Sequence, residues 1–232
     1  MGTPGLPPAT PVGEVRRLPW EERDRLGIVE GLVQTVRLVA TDPNDAFSRL
    51  RPDSDLTSPI LFGILLSWLA IFLSQLWQLV FGNPLRTFFS AIQGFEGAFD
   101  VGIGGALGVI VLWPILAIVG LFLGAAVLHL CLMLVGATEQ SPSGFEGTLK
   151  VVSYSQIAGL ATVVPFIGGM VVAIWLFILE VIGFAAVHRT SQGKALAGVL
   201  IPVVLCCLCG TMVAVFFGAI IAAAIAGAFH GP

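Results

Sequence analysis

Charge is what this sequence has least of. Only 11% of its 232 residues are charged, against about 25% in soluble globular domains. Hydrophobic residues make up 56%, and the mean hydropathy is +0.97. A chain so composed cannot cover an aqueous surface with polar groups. Its net charge of −3 is weak and implies no nucleic-acid partner. No short apolar h-region occurs in the first 50 residues, so no secretory signal is expected. Histidines number three and cysteines four. No H-E-x-x-H, G-x-S-x-G or Walker pattern occurs, so neither an enzyme nor a cofactor is expected. Cys131, Cys206, Cys207 and Cys209 all lie in apolar runs. Cys206 and Cys209 have C-x-x-C spacing, but hydrocarbon disfavours thiolates and further ligands are lacking nearby. They read as small packing residues, and no metal site is expected.

What is present is long apolar sequence behind a charged leader. Nine of the 14 acidic and seven of the 11 basic residues precede Leu56. Residues 1–13 form a Pro/Gly-rich arm, expected to be disordered and extended here to residue 18. Residues 19–55 read as a cytosolic or interfacial helical segment. In it Leu26, Val29, Val33 and Val36 recur at helical spacing, with Leu32 and Val39 alongside. Arg16, Arg17, Arg23 and Arg25 precede or open that stripe. A helix of this kind lies in a membrane interface or packs on a cytosolic surface. Pro43 suits a first helical position and Asp42 its cap.

Residues 56–232 then hold five apolar segments, at about 60–81, 107–135, 151–167, 169–187 and 195–228. A hydrocarbon core about 30 Å thick needs about 20 residues of helix. Each span must be helical, because lipid offers no partner to the backbone. The fold expected is an all-α polytopic bundle of five transmembrane helices with a cytoplasmic N-terminus, preceded by the amphipathic helix. Lys and Arg in the connections support five spans: ten fall inside, and Arg86 alone falls outside. Dropping the third segment would put Arg189 and Lys194 outside. Pro114 is expected to kink or tilt the second segment, and Pro202 to lie near the start of the fifth. Small-xxx-small spacing at Gly104/Gly108, Gly120/Gly124 and Ala219/Ala223/Gly227 is expected to pack the bundle and allows a homo-oligomer.

Polar residues inside these segments are the candidate site. Glu180 lies eight residues from His188, a depth of about 12 Å at 1.5 Å per residue. His129 and Gln156 each lie about 9 Å from an inner end, and Tyr154 a turn shallower. All four thus occupy one layer in the inner half of the bilayer. Gly183 shares a face with Glu180 and lets a neighbouring helix come close. A lone carboxylate facing lipid costs on the order of 3 kcal/mol, so Glu180 is expected to face inward. It reads as a polar tie between helices, as a proton- or substrate-handling group, or as a contact for a partner within the membrane. His188, beside Arg189, reads as a snorkelling boundary residue.

The stretch "LPWEERDRLGIVEGLVQTVRLVATDPNDAF" resembles the lead-in arm of bacterial Yip1-domain membrane proteins. The stretch from Phe145 to Pro202 is similar to the core of the same domain: a Ser-Tyr on the third span, a Pro at the hairpin, a Trp-led fourth span and a His/Arg boundary. "DLTSP", Asp55 to Pro59, resembles the Asp-Leu-x-x-Pro pattern of eukaryotic relatives, with Thr57-Ser58 where they tend to carry Tyr-Gly. The resemblance covers about residues 19–225. It implies five spans, a cytosolic N-terminus and a multi-pass place in the cell membrane, the inner membrane in a bacterium. Eukaryotic members are associated with small GTPases and vesicle formation. The function expected is a non-enzymatic scaffold that recruits a cytosolic protein or organises the lipid bilayer. Arg16, Arg17, Arg23, Arg25, Asp55 and Pro59 are the candidate surface contacts. A small transporter or channel using the layer of Glu180, His129, Gln156 and Tyr154 is the alternative.

Overall fold

A computed structural model describes residues 16–52, 54–82 and 102–229, with backbone alone at Gly102 and beyond residue 219. The Pro/Gly-rich arm, the loop carrying Arg86, and His230 lie outside the described residues. Every described element is helical. A 3-10 turn at Pro19–Glu22 leads to α1 (Arg23–Leu26), α2 (Ile28–Thr41) and α3 (Pro43–Ser48). The long helix α4 (Thr57–Phe81) follows, then α5 (Gly102–Leu134) and α6 (Gly144–Ser155). A second 3-10 segment, Gln156–Val163, continues from α6. Helices α7 (Gly168–Val187) and α8 (Gln192–Phe229) complete the chain.

Four of these helices are long and apolar enough to cross a membrane: Thr57–Phe81, Ile103–Leu134, Gly168–Val187 and Gln192–Ala219. They coincide with four of the five expected segments. The remaining one differs, because 151–167 starts inside α6 and runs on as 3-10 helix. Its sequence explains this: Lys150 just before it and Ser153, Ser155 and Gln156 within it make its first part too polar to face lipid. Its first part is instead buried, as is every residue from Gly147 to Ser155, while Val163, Val164, Phe166 and Ile167 at its far end are exposed.

α6 and its 3-10 extension run beside α4 in the same direction. A Cβ at Gly63 would come within 3.1 Å of the Ser153 backbone, and one at Gly159 within 2.8 Å of Ala70 Cβ. Further along, Trp77 Nε1 donates to Thr162 O at 2.8 Å, and Phe81 meets Phe166 at 5.1 Å between ring centroids. Helix α7 returns antiparallel on the other side, and Gly183 takes Val151 so closely that a Cβ there would sit 2.5 Å from Val151 Cγ1. That is the close approach the sequence predicts for Gly183. The glycines of α5 behave differently from expectation. A methyl group added at Gly104, Gly108, Gly120 or Gly124 would meet nothing within 4 Å, so these residues pack no described neighbour.

Pro114 lies inside α5 and cannot donate to Ile110 O, four residues back. Trp68 Nε1 from α4 donates to that carbonyl at 3.0 Å, so the group freed by the proline is satisfied by the adjacent helix. The N-terminal elements belong to the same core. Leu18, Trp20, Val39 and Phe47 are buried in one cluster with Phe62, Tyr154 and Phe184. At α3, Asp42 accepts from Asp45 N at 3.0 Å and Pro43 takes the first turn, as the sequence predicts. In α2 the buried residues are Gly31, Thr35 and Val39, while Ile28, Val29 and Val33 are exposed. Much of the apolar stripe of α2 thus faces outward.

Candidate functional site

Three polar centres surround α6 and α7. The first joins the leader to the start of α4. Trp20 N donates to Thr35 Oγ1 at 2.8 Å, and its indole donates to Ser58 O at 2.7 Å. Arg23 donates to Ser58 Oγ at 2.8 Å and lies over the Trp20 ring. Trp20, Phe62 and Tyr154 form a continuous aromatic row, edge-to-face and then tilted, with centroid distances of 5.8 and 5.0 Å. Tyr154 O–H donates to Glu21 Oε1 at 3.3 Å. Burial pushes the Glu21 carboxyl up, against the Tyr154 hydrogen bond and the Lys150 and Arg17 charges, which pull it down. Lys150, 1% exposed, donates to Arg51 O at 2.7 Å and Ser54 O at 3.0 Å.

Within "DLTSP", Asp55 accepts from Ser58 N at 3.2 Å, closing the first turn of α4. Hydrogen bonds from backbone N–H groups, that of Thr57 foremost, hold its carboxyl below the usual range. Ser58 and Pro59 are buried. Asp55 therefore organises a helix start, and Pro59 and Arg23 face the protein more than the surroundings. Arg16, Arg17 and Arg25 are exposed. With Arg49 they line a cleft of about 530 Å³ that also includes Glu22 and Gln34. Arg25 pairs with Glu22 and Arg49 with Asp45.

The second centre is a hydrogen-bonded chain at the start of α6. Ser141 Oγ lies 2.7 Å from His188 Nδ1, His188 Nε2 lies 2.9 Å from Thr148 Oγ1, and Thr148 Oγ1 lies 2.7 Å from His129 Nδ1. Gly144 N–H donates to Ser141 Oγ at 3.0 Å. One consistent direction has Ser141 donating to His188, His188 to Thr148, and Thr148 to His129. Both imidazoles are then neutral. Burial, with His129 adding to it, pushes His188 down from 6.5 to about 4. His188 is 0% exposed, which corrects its reading as a snorkelling residue. Sequence reasoning misses Thr148 altogether. Its one sequence signal is a hydroxyl one turn into a helix, near the boundary where His188 is expected.

The third centre is Glu180, 7% exposed on α7. It lines a cavity of about 800 Å³ between α5, α7 and α8. Among the described residues it has no hydrogen bond to His129, Gln156 or Tyr154. Gln156 donates to Val152 O on its own helix at 3.2 Å, and Tyr154 turns to Glu21. The four residues of the expected layer thus occupy separate places. No group of three His, Cys, Asp or Glu side chains is disposed to hold a metal among the described residues.

Long apolar helices joined through buried polar ties define an integral membrane protein. The Yip1 domain family model matches residues 37–214, well over half of the chain, and the chain belongs to that family. No curated protein and no solved structure matches it.

Proposed function

We propose that this Yip1-domain protein is a non-enzymatic membrane scaffold that organises anionic lipid at the cytoplasmic face of a cell membrane. In this reading the chain crosses five times with its N-terminus inside. The fifth crossing is made by α6 and its 3-10 extension. Their 12 and eight residues rise about 18 and 16 Å, together enough for the hydrocarbon core. Contacts with α4 from Gly63 to Phe81 support that path. So does the distribution of charge, with ten Lys and Arg on the inner side and Arg86 outside.

The observation that carries the proposal is the arginine-lined cleft of the leader. It lies on a layer tied to the bundle through Trp20, Arg23 and Lys150. Next to it, α2 exposes Ile28, Val29 and Val33. Apolar side chains beside guanidinium groups suit the boundary where acyl chains meet anionic headgroups. The cleft is the lipid-reading surface, and α2 is its interfacial helix. The separation of Glu180, Gln156, Tyr154 and His129 favours a scaffold over a transport path.

The test uses the full chain in nanodiscs of phosphatidylcholine with a minor share of phosphatidylglycerol, and counts retained anionic lipid by native mass spectrometry. Basic residues near a membrane surface contribute about 1 kcal/mol each. Replacing Arg16, Arg17 and Arg25 together by Glu should weaken retention about a hundredfold. Unchanged retention in the triple variant would reject the proposal.

A further inference from the structure

The cavity between α5, α7 and α8 has no role in the scaffold reading. Its walls are hydrocarbon except for Glu180, and include Leu123, Phe177 and Pro202. Gly120 and Gly124 leave it hollow, since a Cβ at either position would meet nothing within 4 Å. Leu123, Ile174 and Val203 at its margin are exposed. Glu180 is buried in all but 7% of its surface, and has no hydrogen-bond or ion-pair partner among the described residues. A carboxyl group placed alone in such a wall is neutralised either by a proton or by a cation brought to it.

We propose that this cavity binds a lipophilic amine, its ammonium group paired with Glu180 and its aliphatic body filling the space along Gly120 and Gly124. A volume of about 800 Å³ falls within the range of about 300–1,000 Å³ typical of small-molecule sites. One acid in an otherwise apolar wall complements one cation on an otherwise apolar body. Glu180 lies eight residues from His188 at the end of α7, about 12 Å along the helix. That depth excludes a bulky phosphate headgroup, and the carboxylate repels its charge. A second copy of the chain fits less well. Its four candidate spans carry no Lys or Arg except Lys194, in the opening turn of α8.

The test measures binding of radiolabelled dodecylamine to the full chain in phosphatidylcholine nanodiscs, with empty nanodiscs subtracted to remove partitioning. Saturable binding of one amine per chain is expected. Dodecanol and dodecanoate should compete at least tenfold more weakly than unlabelled dodecylamine. Glu180→Gln should weaken binding at least tenfold with an unchanged melting temperature. Gly124→Leu, which fills the cavity and leaves the carboxyl in place, should do the same and covers the case in which Glu180→Gln fails to fold. No saturable binding, wild-type affinity in both variants, or equal competition by dodecanol would overturn the proposal. So would a wild-type dimer that Gly124→Leu dissociates without any amine binding, which would give the cavity to a second copy.

Discussion

The two faces of α7 show opposite uses of the same residue types. Toward α6, Gly183 lets Val151 into contact, and three of the polar groups beyond it find partners: Lys150 on two carbonyls, Thr148 between two imidazoles, Tyr154 on Glu21, while the buried hydroxyls of Ser153 and Ser155 have none among the described residues. Toward α5 and α8, Gly120 and Gly124 face open space and Glu180 has no described partner. Glycine closes one side of the bundle and hollows the other. Small residues in a membrane helix therefore do not by themselves indicate packing. What distinguishes the two sides is whether the neighbouring ionisable groups have partners among the described residues, as Lys150 and Tyr154 do and Glu180 does not, because in hydrocarbon an unpaired ionisable group is the most expensive feature.

That contrast can be broken most sharply with one substitution made twice. Gly183→Leu must displace Val151 and Phe47, whose nearest atoms would lie 2.5 and 3.2 Å from the new Cβ. It should destabilise the protein by about 3 kcal/mol or prevent folding. Gly124→Leu should leave the melting temperature near wild type, as read by thermal unfolding in detergent. Equal losses at both positions would erase the distinction.

A smaller effect is expected from the polar groups. Lys150→Met leaves the carbonyls of Arg51 and Ser54 without its ammonium and should cost about 2 kcal/mol. Glu180→Gln removes no described hydrogen bond and should be nearly neutral in the same unfolding assay. A large loss from Glu180→Gln would mean that its carboxyl is a structural tie after all.

The smallest effect at neutral pH comes from His188. Its imidazole is held at about 4 in the folded protein, against an ordinary 6.5. Between those values the unfolded chain binds a proton that the folded chain does not. Stability is therefore full above about pH 6.5 and declines as pH falls toward 4. Unfolding titrations from pH 7.5 to 4.5 should show that decline, and His188→Gln should flatten it. An identical slope in the variant would remove His188 from the account.

Much of the fold is legible in the sequence, because hydrophobic length is a strong signal. The apolar runs locate α4, α5, α7 and α8, and Asp42 with Pro43 marks the start of α3. Depth is legible only in part: His129, placed by the rise per residue about 9 Å inside, lies 5.8 Å between ring centroids from the expected boundary residue His188. Direction around the helix axis is not legible. Depth alone puts Glu180 and Tyr154 in one layer, yet one lines the cavity and the other meets Glu21. Apolar periodicity also cannot tell a lipid-facing stripe from a core-facing one, since both surroundings are hydrocarbon. In α2 Thr35 turns inward, where it accepts from Trp20 N, and Gly31 lets Pro19 and Arg23 come close. The burial of His188 is hidden for a related reason: its partners Ser141 and Thr148 come from in and around a helix whose burial only the assembled bundle reveals.

The central claim is that α6 and its 3-10 extension carry the chain across the bilayer beside α4. In a background with the four native cysteines replaced, Ser48→Cys and Ile167→Cys can each be exposed to a membrane-impermeant thiol reagent in intact cells. The account predicts rapid labelling at position 167, and labelling at position 48 only after permeabilisation. Protection at both positions in intact cells, or labelling at 48 alone, would contradict it.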